Sequence, residues 1–444
     1  MKAPIMSQDP VAAARPVVQR GESSASASQE PVVPERLASN AMKVLEFVVR
    51  DMPPHYFGTE KQEFIAAKLA AIDEKAIAVL RMFYERILAR MRALEASDID
   101  LGSFGTQGRI WFRVHGNKLP QADLPELHSP LADVLVQSLL MPRQRETLVE
   151  RRSLDFSYNV EEDGERFRYR GTAYFDLDAV GMNMRAITAK IRPYSSYSFH
   201  PNITNIVNLK NTKEGLILVT GITGSGKSTT LDAIIDANNN SVDAHIIIIG
   251  APIEYVHTPA RSVIRHREVG RDVMSFKDGT VQALRQDPDI VMIGEMRDPE
   301  TIMAALEITD SGHKVFSTLH TSSAVESIDR IIGEVPPVEQ DRVRNRLADV
   351  LKLVISQKLV PTVDRKRALA KEVLIVTPSV RAAIKNGNTG EIYQMITEGS
   401  ALGMITMEQD LYRLYKSNTI SIDEALNYAN NKKRLRQLIN KQLS

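Results

Sequence analysis

Between Gly221 and Ser228 the chain reads Gly-Ile-Thr-Gly-Ser-Gly-Lys-Ser. This G-x-x-x-x-G-K-[ST] pattern has residue types suited to holding a chain of phosphates. Glycine at 221, 224 and 226 lets successive backbone N–H groups turn toward one point. Lys227 supplies a mobile point charge for the β- and γ-phosphates, and the Ser228 hydroxyl is an oxygen ligand for Mg²⁺. Ile222, Thr223, Ser225 and Thr229 complete the set expected around the phosphates. The flanks agree with this reading. Leu216 to Val219 is a short apolar run of strand character, and Leu231, Ile234 and Ile235 recur at helical spacing beyond the loop. The positive end of that helix adds to the field on the phosphates. The stretch predicts a nucleoside triphosphate site.

A second chemical feature lies further along. Ile290 to Ile293 is an apolar strand that delivers Gly294-Glu295 to its carboxyl end, the edge at which open parallel sheets bind ligands. A carboxylate there can orient an attacking water and reach Mg²⁺ through water. His320 ends the run Val315 to Leu319 and is a candidate to sense the γ-phosphate, whereas His313 reads as structural. His245 to Ile249 is a further buried strand. Asp298-Pro299-Glu300 is a helix start, with Asp as cap and Pro at the first helical position. Apolar strands alternating with helices imply a mostly parallel sheet covered on both faces. Helices are expected to dominate after Glu339, and Ser421-Ile-Asp-Glu424 reads as a capping box.

Upstream, residues 1–38 are rich in Ala, Ser, Pro, Gln and Glu and predict a disordered tail. From Arg36 to Ala96, Leu69, Ile72, Ala76, Leu80, Phe83, Ile87, Met91 and Leu94 recur every three or four residues, predicting a helix packed on a core. Ile110, Phe112 and Val114 then alternate at strand spacing, with a turn at Gly116-Asn117. Leu154 to Tyr158 and Arg166 to Phe175 form a second strand group, separated from the first by a helix over Leu131 to Leu140. Residues 39–193 thus read as an α+β domain, 194–205 as a linker, and 206–444 as the nucleotide-binding domain with C-terminal helices.

The chain's 444 residues suffice for two or three domains. Its 56 Lys+Arg stand against 55 Asp+Glu, so no strong polyelectrolyte attraction to nucleic acid or membrane is expected. With no cysteine it has neither disulfides nor thiolate metal sites. No apolar run reaches the roughly 18–20 residues of a membrane helix. The expectation is a cytoplasmic protein.

Arg285-Gln-Asp-Pro-Asp-Ile-Val-Met-Ile-Gly-Glu-Met-Arg-Asp298 resembles a signature of the type II/type IV secretion and pilus ATPases, most closely the PilT-like retraction motors and their secretion and conjugation relatives. Gly312-His-Lys-Val-Phe-Ser-Thr-Leu-His-Thr-Ser322 is similar to that family's histidine box. Ala96-Ser-Asp-Ile99 and Arg166-Phe-Arg168 resemble its N-terminal domain, and Thr377-Pro-Ser-Val380, Gly403-Met404 and Ile420 to Ala425 its C-terminal helices.

The resemblance implies a P-loop (RecA-like), mostly parallel-sheet ATPase domain behind an N-terminal α+β (PAS-like) domain. It implies ATP and Mg²⁺ as ligands and a homohexameric ring with ATP between the two domains. An inner-membrane platform protein is the implied partner, which would make the chain peripheral to that membrane. Arg166, Arg168 and Arg185 become candidates to neutralise phosphate charge. One block departs from the family. The acidic box usually reads Glu-Asp-Pro-Ile-Glu, and here it is Gly250-Ala251-Pro252-Ile253-Glu254, leaving Glu254 to act alone. The small residue in place of Asp resembles the type IVB secretion and conjugation branch. Two other readings stay open: a non-hydrolysing nucleotide-dependent scaffold and a nucleic-acid translocase.

Overall fold

The computed structural model describes residues 33–114, 117–162, 164–187, 191–364 and 366–440. Residues 1–32, where most of the expected tail falls, and Gly116 of the expected turn lie outside them. Residues 35–38, assigned to the tail by composition, instead open the helix Glu35–Val49, which buries Ala41, Leu45 and Val48. The single helix expected from Arg36 to Ala96 is three, Glu35–Val49, Gly58–Ala71 and Glu74–Ala93. The chain turns extended at Ile72, and the Asp73 carboxylate caps the last of them by accepting from the Lys75 N–H.

The N-terminal domain is built on a six-stranded antiparallel sheet. Its order is Asn117–Pro120, Trp111–Val114, Asp98–Gly102, Ala179–Ile187, Glu165–Asp176 and Ser153–Glu162. Helices Glu35–Val49, Glu74–Ala93 and Leu131–Leu139 bury Leu45, Phe83, Tyr84 and Leu135 in one core with Ile99, Phe112, Tyr169 and Met184 of the strands. Pro142 occupies the first turn of the next helix, Pro142–Arg151, where a missing N–H costs nothing.

The second domain carries a seven-stranded sheet in the order Arg367–Ile375, Leu351–Pro361, Gly215–Thr220, Lys314–Leu319, Ile290–Ile293, His245–Gly250 and Val263–Glu268. All neighbours are parallel except the outer hairpin Leu351–Pro361 with Arg367–Ile375. Successive strand residues point to opposite faces, and both faces are covered. Leu216, Leu218, Ile247, Ile249, Val291 and Ile293 enter one core. Ile217, Val219, Ile246, Ile248, Ile290 and Met292 enter the other with Leu231, Ile234 and Ile235. The helices expected after Glu339 are interrupted by that long hairpin, and the edge strand Val263–Glu268 was also not expected. The 194–205 segment is no loose linker. Tyr194 and Phe199 pack on the second core, and the helix Pro201–Val207 begins inside it.

Lys314 is fully buried at the start of its strand, where its Nζ donates to the Ile206 and Thr212 carbonyls at 2.6 Å each. Burial first, then Lys352 and Lys213, push its pKa down to about 7. An unfolded lysine titrates near pH 10.4, so between about pH 7 and pH 10 the unfolded chain binds the extra proton and stability rises with pH. Below that window the charged form carries its full burial penalty in the folded state. The Tm of Lys314→Met should therefore climb less than that of the wild type across the window, as read by calorimetry.

Candidate active site

The loop 221–226 follows the strand Gly215–Thr220, near the middle of the sheet, and opens the helix Lys227–Asn239. Gly221 has φ +149°, and a Cβ there would come within 2.4 Å of Ser225 Oγ and 2.5 Å of the Gln357 carbonyl. Gly224 and Gly226 have φ +80° and +88°. Side chains at these positions would deform the loop that presents its N–H groups to the phosphates.

Lys227 folds back over the loop, donating from Nζ to the carbonyls of Gly221 at 2.8 Å and Ile222 at 3.2 Å. Burial lowers its pKa, opposed by the charges of Glu254 and Glu295. Ser225 Oγ is buried without a hydrogen-bond partner, and Ser228 lies half-buried in the first turn of the helix. Ile222, Thr223, Gly224 and Thr229 are exposed around this cradle. An orphaned hydroxyl, a folded lysine and an open glycine turn at a helix N-terminus suit an incoming anion.

Strands from across the sheet end at the same edge. Glu295 follows Ile290–Ile293 and His320 follows Lys314–Leu319. The Glu295 carboxylate is one-fifth exposed; its Oε2 lies 2.7 Å from Arg297 Nε and 3.7 Å from His320 Nε2. Burial first, then Lys227 and Arg297, lower the His320 pKa against the pull of Glu295, which keeps the ring neutral at neutral pH. Glu254 is exposed on the loop after His245–Gly250. Thus Lys227, Glu254, Glu295 and His320 form one electrostatic group, joined by Arg297.

Each of the three arginines pairs with a carboxylate outside this group. Arg166 pairs with Glu161 at 3.1 Å and Arg185 with Asp98 at 2.8 Å, both with exposed side chains. Arg168 is mostly buried and reaches Glu268 and Asn159. His313 caps its own helix end, with Nδ1 at 2.9 Å from Ser311 Oγ and 3.1 Å from the Ile308 carbonyl.

Two residues of the site escaped the sequence reading. Arg297 sits two positions beyond Glu295, inside a block already singled out. Gln357, on the hairpin strand, is 1% exposed and grips the loop. Its Nε2 donates to the Ser225 carbonyl at 2.9 Å, and its Oε1 accepts from Thr230 Oγ1 at 3.0 Å. Recognising Leu351–Pro361 as a strand beside Gly215–Thr220 would have put Gln357 against the loop.

Residues 73–443 match the family model described as type II/IV secretion system protein. The type IV pilus retraction ATPase PilT of Pseudomonas aeruginosa is 37% identical over 330 residues, covering 74% of this chain and 93% of that protein. A crystal structure of the pilus retraction motor PilT with ADP superposes with a TM-score of 0.71 at 36% identity, covering 79% of this chain and 98% of that one. The ATPase DotB of Legionella pneumophila superposes with a TM-score of 0.63 at 30% identity, over 78% and 94% of the two chains. On the family match, which spans most of its length, this chain belongs to the type II/IV secretion system protein family of pilus and secretion ATPases.

Proposed function

We propose that the chain is an oligomeric ATPase motor that couples hydrolysis of ATP to pilus dynamics or to type IV secretion or conjugative transfer. The observation that carries this reading is the convergence of Lys227, Glu295 and His320 on a strand–loop–helix phosphate cradle at the carboxyl edge of the sheet. In this reading the loop N–H groups and Lys227 hold the triphosphate, Glu295 orients the attacking water, and His320 reads the γ-phosphate. Among the described residues no cluster of three His, Cys, Asp or Glu can hold a metal. Mg²⁺ keeps several waters and binds mainly through the phosphates. The Ser228 hydroxyl would hold it, and Glu254 and Glu295 would reach it through water; the ion supplies charge neutralisation of the phosphates. Phosphate release by the purified chain tests the reading: turnover with Mg-ATP, lost on chelation, supports it.

The same reading includes a homohexameric ring, a platform protein at the inner membrane, and a cytoplasmic site of action. Among the described residues no helix is long and apolar enough to cross a membrane. The net charge of +1 favours a protein partner over direct binding to nucleic acid.

The acidic box gives the scaffold alternative its one specific support. Gly250 and Ala251 remove two carboxylates beside the expected metal. Ala251 is exposed, so Ala251→Asp adds an acceptor without repacking. A Cβ at the buried Gly250 would meet Ile253 Cδ1 at 2.9 Å and the Pro252 carbonyl at 3.1 Å, so Gly250→Glu overpacks by about 1–3 kcal/mol. Turnover of Ala251→Asp at saturating Mg-ATP should rise severalfold with unchanged affinity, while Gly250→Glu lowers Tm. Equal turnover in Ala251→Asp and wild type would mean the box does not limit this chain's chemistry.

A further inference from the structure

Glu268 closes the edge strand Val263–Glu268 and is the register partner of Gly250 in the adjacent strand. It is a buried carboxylate, 7% exposed, and its two oxygens serve both domains. Oε1 accepts from Ser157 Oγ of the N-terminal domain at 2.7 Å. Oε2 lies 3.3 Å from Arg168 Nη2 of that domain and accepts from the Ile253 N–H at 3.3 Å. Ile253 directly precedes Glu254, the remaining carboxylate of the acidic box. The corner bearing Glu268 is itself pinned. Its N–H donates to Asp272 Oδ2 at 2.8 Å, and its carbonyl accepts from the N–H groups of Arg271, Asp272 and Val273. Burial lowers the Arg168 pKa and Glu268 opposes that, so the pair satisfies two charges that would be costly to bury singly.

From this junction we propose that Glu268 is a positioning residue, a latch through which the N-terminal domain sets the loop 250–257 and hence Glu254 at the nucleotide. The same junction engages Arg168 through Nη2 on Glu268 and Nε on Asn159, while its Nη1 is buried without a hydrogen-bond partner. A carboxylate suits the task because one group can accept from a hydroxyl, a guanidinium and a backbone N–H at once, in directions set by two different domains. A cavity of about 240 Å³ opens beside the junction, lined among others by Glu85, Met141, Ser157, Glu268 and Arg271.

The inference rests on the ATPase reading for its catalytic consequence, but its structural half is measurable without turnover. Hydrogen exchange over 250–257 in the full chain, with Mg-ADP present, is the first arm. Exchange should speed up about tenfold in Glu268→Gln, and also in Ser157→Ala and Arg168→Gln, although among the described residues no hydrogen bond or ion pair joins Ser157 or Arg168 to that loop. Ser157→Ala removes only a hydroxyl from the N-terminal domain, so it keeps the test usable if the charge variants fold poorly. Wild-type exchange of the loop in both Ser157→Ala and Arg168→Gln would overturn the proposal, since Glu268 would then act only as a local acceptor. The second arm is turnover: kcat should fall about tenfold in Glu268→Gln with Mg-ADP affinity within twofold. The Ser157→Ala/Glu268→Gln double variant should be no slower than Glu268→Gln. Loss of affinity as large as the loss of kcat would also overturn it. A wild-type chain that does not hydrolyse ATP fails the ATPase reading instead, and the exchange arm still decides the latch.

Discussion

Lys227→Ala is expected to abolish measurable hydrolysis and to weaken nucleotide binding. The Lys227 ammonium now donates to the carbonyls of Gly221 and Ile222, a parked arrangement that β- and γ-phosphates can take over at little cost in reorganisation. Burial disfavours its charge and Glu254 and Glu295 favour it, so a polyanion nearby strengthens the charged form further. Hydrogen bonds to charged groups contribute about 1.5–3 kcal/mol each, which corresponds to a loss in affinity of about ten- to hundredfold. Charge stabilisation of the transferred phosphoryl group is worth more in the transition state, so turnover should drop by roughly 10³-fold. Titration with a fluorescent ADP analogue and phosphate release at saturating Mg-ATP separate the two effects. Near-normal turnover in a folded variant would remove the loop from the chemistry altogether.

The phosphate loop was legible in the sequence because its constraint is local. Glycine at 221 is demanded by the backbone and by the approach of Ser225 and Gln357, and the flanking strand and helix announce themselves by apolar period. The same holds for Ile290–Ile293, a continuous apolar run buried on both faces, and for Lys314–Leu319, equally buried and marked by Val315, Phe316 and Leu319. The outer strands lacked that signal. Leu351–Pro361 follows the helix Pro337–Val350 with no glycine or proline between them, so nothing in the sequence marks where the helix stops. Val263–Glu268 carries Arg265, His266 and Arg267, a charged composition that suits a sheet edge but resembles a loop.

What remained hidden was pairing made only when the sheets assemble. Arg166, Arg168 and Arg185 carry the same charge and lie on neighbouring strands of one sheet, yet their partners are Glu161, Glu268 and Asp98. Glu268 is 100 positions from Arg168, and no periodicity connects them. Gln357 is a further case: its neighbours in sequence are strand residues, and its function comes from lying beside a loop 132 positions away. A type-and-spacing reading finds residues that act where their own element puts them. It misses those whose role is set by a contact made only after folding.

Glu295→Gln is expected to separate binding from chemistry. The substitution keeps the side chain's shape and one oxygen able to accept from Arg297, so the ligand-free packing changes little. What is lost is the negative charge that Lys227, Arg297 and His320 share. A neutral amide orients water poorly and cannot take up its proton, so hydrolysis should fall roughly 10²-fold or more, within the range for a positioned acid–base group. ATP affinity should hold or rise slightly, because the carboxylate repels the γ-phosphate in the ground state. Glu254→Gln supplies the contrast. Glu254 is exposed, and its influence on Lys227 is exerted through solvent-screened charge, so its loss should slow turnover by about tenfold or less. Measuring ATP affinity, turnover and oligomer size on the two variants side by side decides the assignment. If Glu295→Gln turns over normally while Glu254→Gln is dead, the water is held from the acidic box, and the carboxylate at the end of Ile290–Ile293 serves only to park Arg297.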